Sequence, residues 1–159
     1  RFGLRFRPAF VKLRSKFILD KQPHINQDGS HTRMNQLRTL IIDDEWLIRL
    51  ELRRMLSQYP NIKVVGEAAN LNEAVQAVKE LKPDLVFLDI QMPGGSGFDF
   101  LEQVENNFKI IFVTAYTQHF ARAKKYKAID YLLKPISQDR LARAIQELSN
   151  CLYSEKEMP

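Results

Sequence analysis

An α/β fold, with five parallel strands covered by helices on both faces, is what this chain predicts over about residues 36–152. Three observations carry that reading. Short apolar runs alternate strictly with stretches of helical periodicity, five times over. The runs are solidly apolar rather than alternately polar, as expected of strands buried on both faces. A polar residue able to do chemistry (Asp43, Asp89, Thr114 or Lys134) stands directly after four of the runs. Strict strand–helix alternation implies right-handed crossovers and a doubly wound sheet. The expected strand order is 2-1-3-4-5, with ligand chemistry outside the carboxyl ends of the strands.

The elements follow in order along the 159 residues. Leu37–Ile42 reads as the first strand. Glu45–Tyr59 reads as a helix, with Ile48, Leu52, Met55, Leu56 and Tyr59 on one face. Ile62–Val65 is the second strand. Leu71–Leu81 is a helix with Ala74, Val78 and Leu81 inward and Asn70 as its N-cap. Leu85–Leu88 is the third strand, and Phe98, Leu101 and Val104 mark a short helix after it. Ile110–Val113 is the fourth strand, followed by a less regular basic helix over about Gln118–Lys127. Ile129–Leu133 is the fifth strand. Leu141, Ala144, Ile145, Leu148 and Leu152 line the last helix.

Charge divides the chain in two. Residues 1–33 carry eight Lys/Arg against two Asp/Glu, whereas residues 34–159 carry sixteen against seventeen. The net +5 therefore belongs to an N-terminal extension, and the domain after it has no excess of positive charge suited to nucleic acid. In the extension Phe6, Phe10, Leu13 and Phe17 recur at helical spacing among basic residues. The pattern suits a basic amphipathic helix for a membrane or partner, set against the plainer reading of a mobile or non-native segment with the domain starting at Met34. No apolar run approaches membrane-spanning length. The single Cys151 forms no internal disulfide, which fits a reducing cytoplasm.

The residues at the strand ends form a chemical set. Asp43 and Asp44 follow the first strand and Asp89 the third, its neighbour in the expected order. Three converging carboxylates repel one another unless a cation or proton neutralises them. Mg2+ suits the place, since it takes few protein carboxylates, keeps waters and shares phosphate oxygens. Lys134 ends the fifth strand and can reach back as a point charge for phosphoryl oxygens. Thr114 ends the fourth and offers a hydroxyl beside the Ala115 N–H. The set reads as a phosphate-accepting switch with Asp89 as nucleophile. Other motifs carry less. Gly94-Gly95-Ser96-Gly97 lacks the Gly-Lys-Ser/Thr ending of a nucleotide loop and reads as a flexible connection. His24, His31 and His119 have no metal-ligand spacing.

Leu40-Ile-Ile-Asp-Asp-Glu45, Leu85-Val-Phe-Leu-Asp-Ile-Gln-Met-Pro93, Phe112-Val-Thr-Ala-Tyr116 and Asp130-Tyr-Leu-Leu-Lys-Pro135 together resemble the receiver domain of two-component response regulators. Each is weak alone, but all four in order at strand ends are specific. The resemblance implies a flavodoxin-like, CheY-like three-layer sandwich over residues 34–159. The stretch Ala128–Pro135 looks most like receivers of the LytTR class, whose DNA-binding output domain would follow beyond Pro159. The resemblance implies that Asp89 takes a phosphoryl group from a sensor histidine kinase or a small phosphodonor. It also implies that Asp44, Asp89 and the Gln91 backbone carbonyl hold Mg2+, with Asp43 acting through a bound water. Thr114, the Ala115 N–H and Lys134 would hold the phosphoryl oxygens. Thr114 and Tyr131 would be the switch, acting on a face made by helix four, strand five and helix five that could dimerise. Such a protein is cytoplasmic and is not an enzyme beyond its own phosphorylation and dephosphorylation. Tyr116 and Gln91 flank the path of the hydrolysing water, and Trp46 is expected near the metal pocket.

Three other readings compete. A stand-alone receiver could act through protein contacts or a phosphorelay with no output domain. A phosphohydrolase would want a second acid after the nucleophile, which Asp89-Ile90-Gln91 lacks. A nucleotide-binding flavodoxin-like protein would want a glycine-rich fingerprint, which is not found.

Overall fold

The computed structural model describes residues 36–156. The proposed domain start at Met34 and the amphipathic pattern of residues 1–33 lie outside the described residues. Five strands form one parallel sheet: β1 (Leu37–Ile42), β2 (Ile62–Ala68), β3 (Leu85–Leu88), β4 (Lys109–Thr114) and β5 (Asp130–Leu133), in the order β2-β1-β3-β4-β5. This is the doubly wound order expected from the alternation.

Five helices cover the sheet: α1 (Trp46–Leu56), α2 (Leu71–Leu81), α3 (Gly97–Gln103), α4 (Phe120–Ala123) and α5 (Gln138–Lys156). Successive strand side chains point to opposite faces, and this parity splits each apolar run between two cores. Ile41, Phe87, Ile111 and Leu132 pack with Leu52 and Leu56 of α1 and Leu141, Ile145 and Leu148 of α5. Leu40, Val86, Leu88, Ile110 and Phe112 pack on the other face with Leu71 and Ala74 of α2 and Phe98 of α3. Each of these large side chains contributes about 1.5–3 kcal/mol when fully buried.

Caps fix where helices begin. The Asn70 side chain accepts from the Glu73 N–H, and the Glu73 carboxylate accepts from Ala69 and Asn70 in return. Ser96 and Asp99 form a reciprocal capping box at α3, worth about 1 kcal/mol.

Three details differ from the sequence expectation. β2 runs on through Gly66, Glu67 and Ala68, because a register shift between Thr39 and Leu40 lets β1 keep pairing past the break in the apolar run. The expected basic helix over Gln118–Lys127 is a single four-residue α-helix between two 3-10 turns, Thr117–His119 and Lys124–Tyr126. It has no side-chain cap, and within α4 only Ala123 is buried while Phe120 is half exposed, so neither a cap nor an apolar stripe sustains a longer helix. The glycine-rich stretch is a built structure and not merely a connection. Gln91–Met92 and Gly95–Ser96 pair as a two-residue hairpin turned through Gly94 at φ +87°, a conformation that glycine adopts without a Cβ penalty.

Strand register positions the site. Ile42 lies opposite Leu88, so β1 and β3 end in step. The Asp89 N–H donates to the Ile42 carbonyl at 2.8 Å and the Asp43 N–H to the Ala68 carbonyl at 3.0 Å. Thr114 lies opposite Leu133, and the Lys134 N–H donates to the Thr114 carbonyl at 2.9 Å.

Candidate functional site

At the carboxyl end of the sheet the side chains after β1, β3 and β5 converge. The Lys134 ammonium lies 2.8 Å from Asp43 Oδ2, 2.8 Å from Glu45 Oε1 and 3.2 Å from Asp89 Oδ2. One ammonium thus faces three carboxylates. The Lys134–Pro135 bond is cis. Asp43 is 1% exposed and Asp89 4% exposed.

Burial sets the electrostatics. It pushes the Asp43 carboxyl up to about 6, against the Lys134 ammonium and the hydrogen bond from the Glu45 N–H that pull it down. Burial likewise raises Asp89, with Lys134 opposing it. For Lys134 burial works to lower the ammonium, but Asp43, Glu45 and the Asp89 charge outweigh it and hold it above its ordinary range. A charge is costly in such a place unless it is paired.

Asp89 presents its two oxygens differently. Oδ1 accepts from the Ile90 N–H at 2.6 Å and, more weakly, from the Gln91 N–H at 3.4 Å. Oδ2 faces Lys134. One oxygen is anchored by the loop, and the other points into the site.

Two buried polar atoms here have no hydrogen-bond partner, Asp43 Oδ2 and Thr114 Oγ1. Lys134 touches Asp43 Oδ2 as an ion pair without the alignment of a hydrogen bond. Orphaned buried oxygens are rare in native proteins and call for an explanation. One oxygen from each of Asp43, Asp44 and Asp89 lies within 4.8 Å of the others. A hard divalent cation takes oxygen ligands of this kind, so the donor set fits Mg2+. The Thr114 hydroxyl is a donor without a partner, and a phosphoryl oxygen would supply one.

Asp43, Asp44, Asp89 and Lys134 are brought together; Thr114 is buried at the end of β4 and joined to Lys134 through its carbonyl, with Ala115 exposed directly after it. Tyr131 is buried at 9% exposure, and its hydroxyl donates to the Tyr116 carbonyl. Its ring packs against Phe112 of β4 and edge-on against Phe120 of α4, with centroids 6.2 and 5.5 Å apart. Trp46 opens α1 and is 62% exposed.

Sequence reasoning missed three contributors. Glu45 shares Lys134 with the two aspartates; its place directly after Asp43-Asp44 was the available signal. Gly97 lets α3 approach the loop, since a Cβ there would run into the Asp89 carbonyl oxygen and crowd Leu88 Cγ at 3.1 Å. Ser96 caps α3, and the Ser-x-x-Asp spacing of Ser96 and Asp99 was legible as a capping pattern.

Comparison with known proteins agrees with this geometry. Residues 39–146 match the family model described as response regulator receiver domain. The chain is 42% identical over 114 residues to the transcriptional regulatory protein BtsR of Salmonella typhi, covering 70% of this chain and 48% of that protein. It is 35% identical over 125 residues to the sensory transduction protein LytT of Bacillus anthracis, covering 77% and 51%. The chain thus spans about half the length of the curated relatives it matches. Among solved structures, the response regulatory domain of protein mrkE from Klebsiella pneumoniae superposes with a TM-score of 0.67 at 26% identity, covering 74% of this chain and 99% of that one.

Proposed function

This chain belongs to the response regulator receiver family of two-component signalling proteins, and from that premise we propose that Asp89 is its phosphoacceptor. The observation that carries the reading is the Lys134 ammonium set between the Asp43 and Asp89 carboxylates, with a buried Thr114 hydroxyl that lacks a partner at the end of the adjoining strand. Asp89 Oδ2 attacks the phosphorus of a sensor kinase phosphohistidine. A P–O bond forms, the P–N bond breaks, and its electron pair stays on the departing imidazole. Lys134, Thr114 and the Ala115 N–H hold the phosphoryl oxygens. Asp44, Asp89 and the Gln91 backbone carbonyl, with Asp43 behind them, would hold Mg2+, which would supply charge neutralisation for the transferred group. Positioning and charge neutralisation are the main work of such transfers.

The new charge at Asp89 draws the Thr114 hydroxyl toward it, and Tyr131 is the switch residue that responds. Tyr131 contacts Phe120 of α4 and sits on β5, so its position bears on the face formed by α4, β5 and α5. Phe120 and Leu133 are half exposed and supply apolar area for a second copy or an output domain. A LytTR DNA-binding output in the full protein accords with the likeness to LytT and with the half-length match to relatives. No helix among the described residues is long and apolar enough to cross a membrane, in keeping with a cytoplasmic place of action.

The test is intact-mass analysis after incubation with acetyl phosphate and Mg2+. One phosphoryl adduct is expected on the wild type and none on Asp89→Asn or with chelator present. An adduct that survives in Asp89→Asn would move the acceptor elsewhere.

A further inference from the structure

We propose that Arg140 is a positioning residue that fixes the backbone of Tyr131 and ties it to the first turn of α5. The inference rests on the reading of Tyr131 as the switch residue.

β5 is an outer strand of the sheet, so every second residue turns its backbone N–H and C=O to the open edge. The Lys134 N–H bonds β4, at the Thr114 carbonyl. The Ile129 N–H likewise bonds β4, at the Ile110 carbonyl, whereas between these two bonds Tyr131 turns its N–H and carbonyl to side chains on the open side. Both of its edge-facing groups are nevertheless satisfied. Its N–H donates to Asp130 Oδ1 at 2.7 Å, and its carbonyl accepts from the Arg140 guanidinium at 3.1 Å. The same guanidinium grips Asp130 with two further bonds, at 2.8 and 2.6 Å.

The clamp is anchored from the helix side. The Arg140 N–H donates to Ser137 Oγ at 3.2 Å, which caps the helix start. One residue therefore joins the cap of α5, through its backbone N–H, to the Asp130 carboxylate and the Tyr131 carbonyl, through its guanidinium. A lysine has the charge but not the fork. In this clamped state Tyr131 is buried with its hydroxyl on the Tyr116 carbonyl. The clamp thus favours the inward tyrosine, and any movement of the Tyr131 backbone must pull on α5.

The experiment uses the full chain labelled with fluorotyrosine, the Tyr131 resonance being assigned by its loss in Tyr131→Phe. Beryllofluoride with Mg2+ serves as the phosphoryl probe. In the wild type the Tyr131 line should shift on titration. In Arg140→Gln and equally in Arg140→Lys, the inward population should fall about two- to fivefold, the scale of one partly exposed ion pair. The beryllofluoride half-saturation should weaken by the same factor, because the two equilibria are linked. A purely structural arginine would lower the unfolding midpoint but leave the Tyr131 populations and the half-saturation at wild-type values, which would overturn the proposal. Rescue by Arg140→Lys would also overturn it, since charge alone would then suffice. A wild-type Tyr131 line that ignores beryllofluoride would bring down the switch reading itself, and this inference with it.

Discussion

Burial at Asp43 has a measurable consequence for a single side chain. Its folded carboxyl titrates near 6 instead of the ordinary 3.8. Between those values the folded protein holds a proton that the unfolded chain has released. Stability of the metal-free protein therefore falls as pH rises through that window and stays reduced above it. Asp43→Asn should raise the metal-free unfolding midpoint at neutral pH by the equivalent of about 3 kcal/mol and flatten the profile across the window; denaturant titrations at several pH values check this. The same proton opposes function, since a neutral Asp43 gives no charge to a cation. Phosphoryl uptake from acetyl phosphate should decline as pH drops below about 6. Tyr116 is half exposed two residues past Thr114, and the proposed acyl phosphate at Asp89 gives it a role as a shield against water. Tyr116→Ala should shorten the lifetime of the phosphoform; decay followed by intact mass would show equal rates if the side chain gives no shelter.

The short α3 illustrates how an element is specified by a few residues around it. Ser96 and Asp99 close its N-terminus with three hydrogen bonds between 2.7 and 3.2 Å. Gly97 allows its first turn to rest on the Asp89 backbone. Gly→Ala within a helix ordinarily gains about 1 kcal/mol. Here the added methyl meets a backbone carbonyl that cannot swing aside, and overpacking costs about 1–3 kcal/mol. Gly97→Ala should therefore destabilise the protein by chemical denaturation and slow phosphoryl uptake, because the obstructed carbonyl belongs to Asp89, the proposed acceptor. At α1, Arg49 and Arg53 both pair with Glu67 of β2, at 3.0 and 2.6 Å, and draw its carboxyl below the usual range despite burial. These partly exposed pairs pin α1 to the sheet edge but add little stability, about 0–1 kcal/mol each.

Across the whole molecule, both cores share one sheet, and each strand contributes side chains to both. Loss of either layer exposes the strands that support the other, so unfolding should be a single cooperative transition. Trp46 fluorescence and circular dichroism should give coincident curves. A ligand bound only by the folded site stabilises by mass action. Mg2+ with beryllofluoride should raise the midpoint of the wild type, and the rise should vanish in Asp89→Asn. An equal rise in that variant would place ligand binding away from the acidic cluster.

The alternation of apolar runs with helical periodicity determined the fold class and strand order, because the hydrophobic pattern must match the period of each buried element. Leu71–Leu81 and Leu85–Leu88 were legible to the residue, since each is bounded by turn residues or a cap. The strand-end acids, hydroxyl and lysine were legible as well, because residues directly after parallel strands can only gather at one edge. The tertiary structure decided the rest. That Lys134 binds Glu45 as well as the aspartates, that Gly97 must lack a side chain, and that Arg140 reaches the Tyr131 carbonyl all depend on contacts between residues distant in the chain or on the path of a loop. The irregular α4 also follows from tertiary context, for it has neither cap nor buried stripe to hold a regular helix. Periodicity reports which face of an element is buried. It carries no information on which side chains meet across the gap between elements, and that is where this site is made.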